Sequence, residues 1–118
     1  MKQNADRSVL DMGRLIEVYD EDLDGMLELF DLMLKNNTAL LAKMEHAARE
    51  RDLEGVRSAS HSIKGSAGNV GGIELYKLGQ EIEDKARDGS WDGLAELVEK
   101  ARPAFNRLRR EIDSLRIA

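Results

Sequence analysis

Hydrophobic residues recur along this chain at intervals of three and four and show no useful stretch of alternation. From about Asp20 to Arg49, the residues Leu23, Met26, Leu27, Phe30, Met33, Leu34, Leu41, Met44 and Ala48 form a wide apolar stripe, which predicts one long amphipathic helix. Asp52 follows Arg49-Glu50-Arg51 and can accept hydrogen bonds from the free amides of a second helix, which runs through Val70 and ends at Gly71-Gly72. A third helix from about Ile73 to Arg87 carries Leu75, Leu78, Ile82 and Ala86 on its inner face, and Asp88-Gly89-Ser90 closes it. The last segment uses Leu94, Leu97, Val98, Ala101, Phe105, Leu108, Ile112 and Leu115. Pro103 removes one backbone donor within it, which predicts a kink or two abutting helices. Upstream, residues 1–8 read as a loose tail, and Val9, Leu10, Met12, Leu15, Ile16 and Tyr19 as a short amphipathic helix capping one end. Residues 9–118 are therefore expected to form a single all-α domain, an antiparallel up-and-down four-helix bundle with short connections.

Composition narrows what such a bundle can do. Its 118 residues can bury a sizeable core without metals or disulfides, and 35% charged against 4% aromatic residues suits solvated outer helix faces. A net charge of -5 argues against nonspecific nucleic-acid binding. There is no cysteine, hence neither a disulfide framework nor a thiol nucleophile. No apolar run approaches the roughly 18 residues of a membrane span, and residues 1–8 lack an apolar signal core. These features fit a cytoplasmic, monomeric protein that does not act at a membrane.

One stretch, Ser60 to Gly72, departs from the ordinary helix pattern. With His61 as zero and about 100° per residue, Val56, Ala59, Ile63 and Val70 fall together on the far side. His61 therefore points away from the buried stripe. Gly65, Gly68 and Gly72 all fall within about 40° of it on the same wheel. A glycine inside a helix costs roughly 0.5 to 1 kcal/mol relative to alanine, so such a cluster needs a reason, and the simplest is that another molecule must come close to His61. Lys64 and Arg57 flank the same face and place positive charge beside the ring. An open imidazole with cations nearby is what a transferable phosphoryl group requires.

The run from His61 through Lys64, Gly65, Gly68 and Asn69 to Gly71, followed by Leu75, Leu78 and Ile82-Glu83, resembles the histidine-containing phosphotransfer (HPt) domain of bacterial phosphorelays. The likeness extends from roughly Leu10 to Leu115. It implies a phosphocarrier without kinase activity of its own, which accepts a phosphoryl group on His61 from a receiver-domain aspartate or a hybrid sensor histidine kinase and passes it to a response regulator receiver. It further implies that Glu83 hydrogen-bonds Nδ1 of His61, leaving Nε2 to be phosphorylated, with Gln80 one turn earlier as a second polar neighbour. Lys64 would offset phosphoryl charge, and Arg57, Gly65, Gly68, Asn69 and Gly72 would form the receiver-facing surface. No metal is expected on the chain, because Mg²⁺ belongs to the partner receiver domain.

Competing readings are weaker. His46, within Met44-Glu45-His46-Ala47-Ala48, reads as a solvated surface residue. Asp20-Glu21-Asp22-Leu23-Asp24-Gly25 matches the opening of a calcium-binding loop, but position twelve is Asp31 rather than a bidentate Glu, and Leu23, Phe30 and Leu34 continue a helical stripe through it. Lys64 precedes Gly65 instead of following it, which does not fit a nucleotide-binding loop, and no strand precedes the glycines. A helical interaction module, whose glycines serve only close packing and whose His61 takes no phosphate, is the main alternative.

Overall fold

The computed structural model describes residues 9–11, 13 and 22–117. Four helices follow in order: α1, Leu23–Arg49; α2, Leu53–Asn69; α3, Ile73–Arg87; and α4, Leu94–Ile117. No strand occurs among the described residues. Each helix packs against two others in the closed cycle α1–α2–α3–α4, and the diagonal pairs stay apart. The α2–α3 seam is the most extensive contact.

Local chemistry sets the boundaries. Asp22 caps α1, accepting from the Gly25 amide at 3.1 Å, and Asp52 caps α2, accepting from the Gly55 amide at 3.0 Å. Because residues 23 to 31 are helical, most of the calcium-loop match is not a loop at all. Between α1 and α2, Arg51 adopts φ 56°, and its guanidinium stands 4.6 Å from the centroid of the Trp91 ring on the α3–α4 connection. At the α2–α3 turn Gly71 takes φ 70°, and a Cβ there would meet the Asp11 carbonyl oxygen at 2.9 Å. Asp11 in turn donates its amide to the Gly71 carbonyl at 2.7 Å, fixing the buried Val9 and Leu10 against this end of the bundle. The rest of the short N-terminal helix expected from Val9 to Tyr19 lies, except for Gly13, outside the described residues.

The predicted stripes form the core. On α2, Val56, Ala59, Ile63 and Ala67 are buried, closed by Val70, and they face Phe30, Met33, Leu41 and Met44 of α1, Leu75 and Ile82 of α3, and Phe105, Leu108 and Ile112 of α4 in one cluster. The pattern did not reveal Asn37. It is fully buried in α1 and donates through Nδ2 to the Met33 carbonyl at 2.9 Å and to Ser66 Oγ on α2 at 2.7 Å.

Two expectations need correction. Of the kink or two abutting helices expected at Pro103, the second is overturned: α4 runs as one helix through the proline. The proline lies on the exposed side, and the carbonyl it leaves without a donor belongs to Glu99, also exposed, where water can replace the missing N–H. Gly72 does not continue the wheel of α2. That helix ends at Asn69, and Gly72 is the buried N-cap of α3, where a Cβ would meet Leu108 Cδ2 at 2.9 Å.

Candidate functional site

The site lies on the α2–α3 seam. The two helices run antiparallel, so each turn forward along α2 is matched by a turn back along α3. At Gly79 the seam closes: a Cβ there would stand 3.2 to 3.3 Å from the Lys64 Cβ, Cα and N. That close approach carries Glu83, one turn further along α3, to His61, one turn earlier on α2.

Glu83 is 2% exposed, and the surrounding geometry accounts for its charge. Its Oε2 lies 2.9 Å from His61 Nδ1 and accepts from an Arg87 guanidinium nitrogen at 3.0 Å. Lys64 Nζ lies 2.8 Å from Oε1, off the hydrogen-bonding axis, so that oxygen is balanced by charge rather than by a directed bond. Contact with Lys64 is the largest influence holding the Glu83 carboxyl below its ordinary range; burial opposes it, and His61 adds to the lowering. A carboxylate at Nδ1 fixes the neutral ring as the tautomer with its proton there. The imidazole itself is 63% exposed, so Nε2 faces solvent.

Around this pair runs a closed polar circuit. Lys64 Nζ donates to Gln80 Oε1 at 3.2 Å, and Gln80 Nε2 donates to Asp84 Oδ1 at 2.9 Å. Arg87 joins Asp84 at 3.2 Å to Glu83 at 3.0 Å. Lys64 is thus mostly covered, 18% exposed, and engaged with α3 rather than free beside the ring.

The glycine face divides by function. Gly65 has nothing within 4 Å of where a Cβ would stand, so it leaves open space one turn from His61. Gly68 instead accommodates the Tyr76 ring, whose Cδ2 would be 3.2 Å from such a Cβ. Lys64, Gly65, Gly68, Asn69, Gly72 and Tyr76 border an open groove of about 410 Å³ that begins one turn along α2 from His61. Tyr76 is 41% exposed, a large apolar ring standing at the groove's edge.

Of the residues predicted from the sequence, the structure brings together His61, Lys64, Glu83 and Gln80, and sets Gly65, Gly68 and Asn69 along the groove. Gly72 reaches the groove only from the buried turn. Arg57 is held by its own helix, its guanidinium paired with Glu54 through Nε at 2.9 Å, and makes no hydrogen bond to His61. His46 is an exposed residue of α1, bordering a different groove. The sequence reading passed over Arg87, Asp84, Gly79 and Tyr76. Arg87 had a signal, since a Glu four residues ahead of an Arg on one helix is a favoured pair.

An all-α bundle that presents an open imidazole backed by a buried carboxylate defines a helical histidine phosphotransfer domain. The Hpt domain family matches residues 28–118, and the chain belongs to that family. Among solved structures it is similar to histidine-containing phosphotransfer protein B (HptB) from Pseudomonas aeruginosa PAO1, with 25% identity, a TM-score of 0.84, and coverage of 91% of this chain and 93% of that one. No curated protein sequence matches it. Its function is histidine phosphotransfer in phosphorelays, in which Hpt domains act as phosphocarriers with receiver domains and kinases.

Proposed function

We propose that His61 is the phosphoacceptor, taking a phosphoryl group from a receiver-domain aspartate or a hybrid kinase and passing it to a response regulator receiver. The observation that carries this reading is the 2.9 Å contact from Nδ1 to the buried Glu83, on a ring 63% exposed, which directs the free lone pair of Nε2 outward. In the forward step that lone pair attacks phosphorus, the N–P bond forms as the aspartyl O–P bond breaks, and the aspartate leaves as carboxylate. The Nδ1 proton stays on the ring, held by Glu83. Positive charge on the phosphorylated ring is balanced by that same carboxylate, and Lys64, at the groove's border, offsets charge on the phosphoryl oxygens. The chain supplies no kinase activity; the partner receiver brings its own Mg²⁺. Gly65, Gly68 and Asn69 line the surface that a receiver covers, in the cytoplasm, with the carrier as a monomer.

The test is phosphotransfer from a panel of phosphorylated receiver domains to the wild type and to His61→Gln, followed by acid treatment. Acid-labile, base-stable label on the wild type and none on the variant is the expected result. Label that persists in His61→Gln, or a folded wild type that no receiver and no small-molecule donor labels, overturns the assignment.

A further inference from the structure

Arg87 has no place in the phosphoryl path just described, yet it shares with His61 a single oxygen, Glu83 Oε2. We propose that Arg87 is a positioning residue for phosphotransfer: it divides the charge of Glu83 between two cations, so that the carboxylate orients the imidazole without drawing a second proton onto it. The inference rests on the assignment of His61 as phosphoacceptor.

The geometry is built for this. Arg87 spans from Glu83 to Asp84, and Asp84 is held by Gln80, which holds Lys64, so the guanidinium and the ammonium grip opposite oxygens of one buried carboxylate from the two ends of a closed circuit. Imidazole attacks phosphorus only through an unprotonated Nε2. A buried carboxylate with one cation would stabilise imidazolium more than a carboxylate with two. Among the described residues, the charged groups around the ring are Arg57 and Lys64 from α2 and Glu83 and Arg87 from α3, with Asp84 behind Arg87. Arg57 is neutralised by Glu54. α1 brings Lys43, His46 and Glu50 only to the groove on the opposite flank of α2, and α4 meets α3 on the side away from α2.

The experiment uses phosphoramidate as donor, so that no partner's titration intervenes: Nε2 forms its bond to phosphorus, the donor P–N bond breaks and ammonia leaves. Initial rates are compared for wild type, Arg87→Ala and Arg87→Lys from about pH 5.5 to 8.5, across the range in which imidazole titrates. Arg87→Ala is expected to be about threefold slower than wild type at the acid end, the effect of a partly exposed ion pair on proton occupancy, and to converge with it at the alkaline end. Arg87→Lys restores the charge and is expected to follow the wild type throughout. A ratio of one at every pH overturns the inference, and so does an equal loss at every pH that Lys does not repair, which marks a structural role. Arg87 is 55% exposed, so the variants are expected to fold by circular dichroism. If Ala does not fold, Arg87→Gln replaces it, and failure of both to fold also overturns the proposal. His61→Gln separates the two readings: label remaining there removes the phosphoacceptor assignment and this inference with it, whereas label confined to His61 with no Arg87 effect removes the inference alone.

Discussion

Glu83 is the residue on which both the chemistry and part of the stability turn. Its carboxyl is held below the ordinary value of 4.5, chiefly by Lys64, with burial opposing and His61 assisting. A group whose folded value is depressed contributes stability that is complete above its unfolded value and is lost as the pH falls through the folded one. The wild type should therefore lose stability in acid below about pH 4.5, and Glu83→Gln should show a flatter acid limb in thermal unfolding at matched pH. Glu83→Ala, which takes from Lys64 and Arg87 the carboxylate they share and leaves Lys64 only its bond to Gln80, should cost about 3 kcal/mol in urea unfolding at neutral pH. A loss below about 0.5 kcal/mol would mean that the ion pair is dispensable. Glu83→Gln retains an acceptor for Nδ1–H and should still take label on His61.

At the scale of helices, the seam between α2 and α3 assigns opposite signs to two glycines. Gly79→Ala pushes a methyl group into the Lys64 backbone and should destabilise by about 1 to 3 kcal/mol while slowing phosphorylation, because it pries Glu83 from His61. Gly65→Ala meets nothing and should stabilise by roughly 0.5 to 1 kcal/mol. It should leave phosphoramidate labelling unchanged and slow transfer from a receiver. Denaturant melts and the two donors together distinguish these cases. The same seam marks how far the sequence can be read. Stripes of period 3.6 located the four helices, because burial of one face is a local property of spacing. His61, Lys64 and Glu83 were legible through the run that carries the family resemblance. Gly79 was not, since its role lies in how closely a second helix approaches. Arg87 and Asp84 required the antiparallel register to show that one turn of α3 closes a circuit back to Lys64. At Pro103 spacing alone left open a kink or two abutting helices, and tertiary context rules out the second: the residue whose carbonyl loses its donor, Glu99, is exposed to water.

At the scale of the described molecule, much of the support lies away from the chemistry, although Glu83 and Gly79 serve both. Phe105, 2% exposed on α4, packs in the core away from the imidazole, so Phe105→Ala should cost about 3 to 5 kcal/mol while the folded fraction still takes label on His61. A domain of this size holds only about 5 to 15 kcal/mol in total, so unfolding curves and label stoichiometry must be measured on the same sample. The two connections flanking α3 differ in what they bear. Gly71 and Gly72 are wedged between Asp11 and Leu108, and they set the phase in which α3 returns along α2. Gly89 has open space around it, at a bend whose lengthening would leave every residue of the α2–α3 seam in its present relation. A protein engineer who spliced a fluorescent reporter into this carrier would thus find one junction permissive and the other closed. The same asymmetry governs natural drift: length variation can accumulate after α3, whereas a single inserted residue before it would turn Glu83 away from the histidine by about 100°.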